Sequence, residues 1–179
     1  MTPDTILNFW FSEIAPRQWW RKDPHFDAMI AERFGIIHLA ARAGELFAWR
    51  ADASGRLAEI LVLDQFSRNI YRDQASAFAA DSQALVLAQE AISAGAIEQL
   101  PTVQASFLLM PVMHSESLVV HDAYAQWFVR PGFESTLDFE HRHRRILERF
   151  GRYPHRNAIL GRVSTVEEAA FLQQPGSTF

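Results

Sequence analysis

The sequence predicts an all-α protein, built from about eight helices, several consecutive pairs of which form antiparallel hairpins. Three observations predict it. Apolar residues recur at helical spacing along most of the chain, and helix start and stop signals punctuate it at short intervals. No stretch shows sustained strand alternation or a hairpin dipeptide. The 179 residues, 49% hydrophobic and 21% charged, suit one soluble domain over residues 1–179 with a core of its own.

The elements follow in order. Thr2-Pro3 reads as an N-cap with proline in the first turn, opening PDTILNFWF. Asp23-Pro24 repeats that signal ahead of HFDAMIAERFGIIHLAARAG, where Phe26, Met29, Ile30, Phe34, Ile37 and Ala41 share a face and Gly44 stops the helix. A short ELFAWRA segment leads to a turn at residues 52–55. RLAEILVLDQFSRNIYR is apolar nearly all round its centre and reads as a buried helix. SAFAADSQALVLAQEAISAG is amphipathic and ends at Gly95, and LPTVQASFLLMP stops near Pro111. SESLVVHDAYAQWFVRPG opens on a serine cap, assigned to Ser115 with Glu116 in the first turn, and closes at Pro131-Gly132. STLDFEHRHRRILERFG ends at Gly151. Ser164-Thr165 with Glu167 and Glu168 offers a capping box for VEEAAFLQQ.

Charge is distributed unevenly. Residues 1–140 hold 10 Lys and Arg against 18 Asp and Glu, a net −8, whereas residues 141–162 hold seven Arg against one Glu, a net +6. Arginine binds carboxylates and phosphates through a planar fork and tolerates partial burial. One arginine-dense segment in an acidic chain indicates a local anion site or internal ion pairs. It does not indicate a nucleic-acid surface, which needs a wider basic face. There are no cysteines, which excludes disulfides and thiolate metal sites and suits a reducing compartment. The start, MTPDTILNFWF, is a poor secretory signal, and no apolar run is long enough to span a bilayer, so a cytoplasmic location without membrane contact is expected.

Several polar residues fall where apolar ones belong. Asp64 follows Ile60, Leu61, Val62 and Leu63, with Arg68 one turn on. A buried charge is costly unless paired. The two therefore form a structural pair, or a carboxylate held by its arginine at a pocket with Asn69 and Arg72 on the rim. In the arginine-rich helix, Phe139, His143, Ile146, Leu147 and Phe150 form one stripe with His143 at its centre, while Arg142, Arg145, Arg149 and Arg152 lie off it and His141 points away. A lone histidine on an apolar face is usually a satisfied core residue. Near a carboxylate it is also the usual proton carrier at neutral pH. Gly151 and Pro154 place Arg152, His155, Arg156 and Asn157 at a helix junction, where they build an anion site or tie loops to helix ends. His114, Glu116, His143 and His155 lack a two-histidine helical motif, so no metal and no cofactor are expected.

The stretches LDQFSRNIYRD, MPVMHSESL, HRRILERFGRYPHRNAILGR and STVEEAAFLQQPGSTF, together with ILNFWF near the start, resemble the family known as domain of unknown function 924. The resemblance runs almost the whole chain, to Phe179. It implies a tetratricopeptide-like helical fold and no particular reaction. Matching positions include Asp64, Gln65, Arg68, Asn69, Arg72, His114, Ser115, Glu116, His143, Arg149, Gly151, Arg152, His155, Arg156, Asn157, Gly161 and Arg162. Ser67 stands where a proline is expected, and His121 where a glutamine is usual.

These residues define the expected site. It is a pocket formed by the Asp64 helix, the His114–Glu116 helix start and the 143–157 segment, taking a small anionic ligand or metabolite. In a catalytic site, His143 or His114 is the acid or base, and Asp64 or Glu116 orients it. Arg68, Arg152 and Arg156 clamp the anion, with Asn69, Arg72, Arg149, His155, Asn157 and Arg162 as further ligand-binding residues. No nucleophile is implied. The competing expectation is an interaction module binding a protein or peptide in a concave groove, with the polar motifs as framework and an apolar patch at Trp19-Trp20 as its mark.

Overall fold

The computed structural model describes residues 1–177; Thr178 and Phe179, the end of the family resemblance, lie outside them. The described residues are helical and contain no strand, as the periodicity predicts. In order the helices are α1 Pro3–Asn8, α2 Pro24–Arg42, α3 Ala53–Leu61, α4 Ser67–Ile70, α5 Asp81–Ser93, α6 Ala96–Gln99, α7 Thr102–Met113, α8 Leu118–Phe128, α9 Glu134–Phe150 and α10 Val166–Leu172. Since α3 and α4 continue one another and α6 is a single turn, the expectation of about eight helices agrees with this order.

Most boundaries follow from cap chemistry. The Asp23 carboxylate accepts from the backbone N–H groups of His25 (3.0 Å) and Phe26 (3.4 Å) at the start of α2. Thr165 and Glu168 exchange side-chain and backbone bonds at the start of α10, so the predicted capping box forms. Gly151 closes α9 in the left-handed region at φ 68°, which a residue with a Cβ rarely adopts. Two expectations shift. Asp52 is not a turn residue but the cap of α3, accepting from Gly55 N–H at 2.8 Å. Ser115 is not the cap of α8; Ser117 occupies that position, and Ser115 and Glu116 form an extra link before the helix.

Helix α3 lies at the centre, packed against α1, α5 and α7, and its own face is buried from Leu57 to Leu63. A side chain at Gly55 would run into the Trp49 carbonyl, so α3 and the preceding turn approach at the distance only glycine allows. Phe9, Trp10, Phe34, Phe66 and Phe107 fill the space between α1, α2, α4 and α7. Helices α8 and α9 pair with each other against α7, over a smaller core of Ile146, Leu147 and Tyr153.

Between α3 and α4 the chain makes a π-helical turn, Val62–Phe66. The wider turn holds one more residue than an α turn, so the faces read by simple 100° spacing no longer carry through it. Asp64 and Arg68 still share one side of the rod, whereas Asn69 faces another by the ordinary 100° step within α4, and Arg72 lies beyond its end at Ile70.

Candidate functional site

The π turn buries Asp64 to 1% exposure, against the C-terminal end of α7. Its Oδ1 accepts from His114 Nδ1–H at 2.8 Å, and its Oδ2 from the Gln65 amide at 2.6 Å. Arg68 reaches Oδ1 at 3.4 Å. Burial pushes the Asp64 carboxyl up, but Arg68, His114 and Gln65 together outweigh it and hold it well below the usual carboxylate range. An ionised carboxylate only accepts, so the proton of neutral His114 sits on Nδ1 and Nε2 carries the lone pair. Nε2 makes no hydrogen bond to the described protein, and the His114 ring lines an open cleft.

That cleft has a volume of about 340 Å³. Its apolar wall is Phe78, Leu85, Pro111 and Leu160, and its polar groups are Asp81, His114, Ser115, Glu116 and Arg156. Asp81, the first residue of α5, is the hub. Its two oxygens accept from Arg68 at 2.9 and 3.1 Å, and Oδ2 also takes a longer contact from Arg156 at 3.2 Å. Arg156 donates to the His114 carbonyl at 2.9 Å, and its guanidinium lies over the rings of Phe78 (4.7 Å) and Tyr153 (4.9 Å). Glu116 accepts two bonds from Arg162, at 2.7 and 2.9 Å, and one from the Tyr153 backbone N–H at 2.6 Å. Burial raises the Glu116 pKa, and the Arg162 and Tyr153 bonds reverse that to a net lowering.

Behind this layer, the His143 ring sits 6.2 Å from the His114 ring and edge-on to Tyr153 at 5.6 Å. Its Nδ1–H donates to the Phe139 carbonyl at 2.8 Å. Burial lowers its pKa to about 3, so His143 is neutral at pH 7. His155 stacks on Tyr153 at 5.7 Å and is lowered to about 4 by burial and by Arg156.

Residues up to 98 positions apart in sequence therefore meet around one cleft: His114, Glu116 and Arg156 line it, and Asp64, Arg68, His143 and Arg162 stand behind them. Other expected members stand elsewhere. Asn69 and Arg72 both bind Asp27 of α2, Asn69 at 2.8 Å and Arg72 through two nitrogens, on the side of the rod turned away from the cleft. Arg149 pairs with exposed Glu167 at 2.8 Å. Arg152 donates to both oxygens of Glu168 at 2.7 and 2.8 Å and to the Val163 carbonyl at 2.9 Å, which ties α10 to the end of α9. Asn157 donates to Ser164 at 3.0 Å. The anion clamp drawn from residues 152–157 thus reduces to Arg156, because Arg152 and Asn157 turn towards the α10 connection and His155 stacks on Tyr153. The stripe on α9 also changes: Phe139 is exposed, and Glu140 is buried in its place.

Three contributors were not legible as site residues. Asp81 looks in sequence like an ordinary acid in a first helical turn. Phe78 looks like one apolar residue among many. Tyr153 lies inside the polar stretch FGRYPHRN, yet it is fully buried and its hydroxyl donates to the Met113 carbonyl at 2.7 Å. The unusual His121 is buried as well, bonded to Glu140 at 2.6 Å and to the Ser115 carbonyl at 3.0 Å, so it fixes the link that carries Glu116. Among the described residues no group of three or more His, Cys, Asp or Glu is placed to hold a metal ion.

A bacterial protein family of unknown function, DUF924, matches residues 6–176. The chain belongs to this family. A solved structure has the same architecture: the protein of unknown function ATU0120 from Agrobacterium tumefaciens is 36% identical to this DUF924 chain, with a TM-score of 0.90 over 96% of each chain. No curated protein matches it. No helix among the described residues of the DUF924 chain is long and apolar enough to cross a membrane.

Arg152→Ala tests the framework role of that arginine. Glu168, buried and held to about 2 chiefly by the Arg152 hydrogen bonds, loses its partner. The expected result is a lower melting temperature with an unchanged response to added phosphate. A variant that melts like the wild type but no longer responds to phosphate would return Arg152 to the ligand site.

Proposed function

We propose that the cleft binds a small anionic ligand and that His114 exchanges a proton with it, as general acid or base, oriented by Asp64. The observation that carries this reading is the 2.8 Å bond between the buried Asp64 carboxylate and His114 Nδ1. It fixes ring and tautomer and leaves Nε2 for the ligand. Asp64 also stabilises the imidazolium that forms when Nε2 takes a proton. Arg156 is the anion contact. Its 3.2 Å hold on Asp81 is the weakest of the cleft's ion pairs with Asp81, and Asp81 keeps two bonds from Arg68 when a ligand takes Arg156's place. Phe78, Leu85 and Leu160 accept the apolar part of the ligand. No serine stands in a nucleophile elbow and there is no cysteine, so the role assigned to His114 is proton transfer. The lack of cysteine also fits work in the reducing cytoplasm.

Inorganic phosphate is the probe. The wild-type melting temperature rises with phosphate through mass action, beyond the change in sodium chloride of equal ionic strength. Arg156→Lys, which keeps charge but not the planar fork, loses most of that rise. His114 side-chain nitrogen resonances shift with phosphate in the wild type. A wild type indifferent to phosphate in both measurements overturns the reading.

A second reading, a protein- or peptide-binding helical array of tetratricopeptide-like form, rests on Trp20. Its ring is 64% exposed and stacked on Phe107 at 5.8 Å, an aromatic ledge on the side of α7.

A further inference from the structure

The seven arginines of residues 141–162 can be accounted for one by one. Arg142 pairs with Asp138 at 2.5 Å, Arg144 with Asp122 and Glu148 at 2.6 and 2.8 Å, and Arg149 with Glu167 at 2.8 Å. Arg152 pairs with Glu168 at 2.7 Å, Arg156 with Asp81 at 3.2 Å and Arg162 with Glu116 at 2.7 Å. Arg145 alone has no carboxylate and no hydrogen-bond partner among the described residues. It is not at the cleft. It lines a second cavity, of about 350 Å³, between the outer face of α9 and α10.

The two cavities share no lining residue. The floor of the second is Ile146, Phe150 and Phe171, the two phenyl rings 5.0 Å apart and tilted. Arg142, Arg145 and Arg149 stand at its edge, and the Arg149 guanidinium lies over both rings at 4.7 and 5.7 Å. We propose that this groove is a second ligand site, for a small carboxylate carrying an aromatic or aliphatic body.

Each part of that description has a cause. The volume matches a small molecule. The apolar floor favours an apolar body, which removes water from the rings. The unpaired fork of Arg145 favours a planar carboxylate, which it can bind through two parallel bonds. Asp138 and Glu167 remain at the rim on Arg142 and Arg149, so a monoanion is favoured over a polyanion such as a nucleotide.

Phenylbutyrate, with phenylbutanol as its uncharged match, tests the site by titration calorimetry and amide chemical-shift mapping. The wild type binds phenylbutyrate more tightly than phenylbutanol, with shifts centred on residues 145–150 and 171. Arg145→Gln, at an exposed position that leaves the fold intact, weakens phenylbutyrate about tenfold and leaves phenylbutanol unchanged. Phe171→Ala weakens both, and His114→Gln weakens neither. Equal binding by Arg145→Gln and wild type, no wild-type binding at millimolar ligand, or a loss on His114→Gln instead overturns the proposal.

Discussion

Asp64→Ala lowers the melting temperature by about 6 to 20 °C, the range that follows from roughly 3 to 5 kcal/mol for breaking a buried pair and 2 to 4 °C per kcal/mol in a chain of this size. The cost has three sources. His114 Nδ1–H loses its acceptor, the Gln65 amide keeps only the Met110 sulfur at 3.3 Å, and Arg68 loses one of its two carboxylates. Arg68 retains Asp81, which places the result towards the lower end of the range. Asp64→Asn keeps the shape but not the charge. It falls between the wild type and the alanine variant, and it removes the His114 imidazolium's counter-charge. Differential scanning calorimetry decides; a melt of Asp64→Ala indistinguishable from the wild type would mean that His114 is held by something other than this carboxylate.

Acidification from pH 6.5 to 4 destabilises the protein steeply. Burial lowers His38 to about 4, His143 to about 3 and His155 to about 4, so in the folded chain His143 stays largely neutral over that range and His38 and His155 take up protons only towards its acid end. In the unfolded chain they protonate near 6.5. The unfolded state then binds more protons, and stability rises with pH across the window. Their contribution is complete above about 6.5 and is lost as pH falls towards the folded values, at up to about 1.4 kcal/mol per pH unit for each histidine. His38 shows the cause in atoms. Ser67 gives its proton to the Leu63 carbonyl at 2.5 Å, so it can only accept from His38 Nε2–H at 2.8 Å. The other nitrogen, Nδ1, is buried without a partner, and no acceptor awaits a second proton. The depressed carboxylates extend the effect downward. Glu168 contributes fully above about 4.5 and loses its contribution as pH falls towards about 2. Urea midpoints from pH 7.5 to 4 measure the slope. A profile flat between pH 6.5 and 5 would show that these histidines accept protons in the folded state.

How much of this was legible in the sequence depends on how local its cause is. Helix identity and most ends were legible, because periodicity, caps and glycines act within a few residues. Asp23, Gly44, Gly151 and Thr165 mark ends where they were expected. The meeting of Asp64, His114 and His143 was expected because each polar group sits on a face that must be buried. What could not be read was partner choice. Arg68 was matched to its helical neighbour Asp64, but its closest carboxylate is Asp81, thirteen positions on. Arg152 and Arg72 were drawn into the pocket, but Glu168 and Asp27 claim them from other helices. An arginine reaches far, and its partner is fixed by tertiary packing. The π turn was not legible either, because helical-wheel geometry assumes one period throughout, although Asp64 and Arg68 still share a side across it.

That turn also sets a rule about length. A rod that holds Val62–Phe66 in a π turn carries the equivalent of one inserted residue at its midpoint, and everything after it is rotated by about 100° relative to an uninterrupted helix. Substitutions within the turn are a matter of fit. Removing a single residue there is a change of frame: it would swing Asn69 and Arg72 away from Asp27 and Arg68 away from Asp81 in one step. A substitution there removes the contacts of one side chain, as at Asp64, whereas a deletion moves every contact that follows, and the cleft inherits that dependence on length from a turn whose apolar residues it never touches.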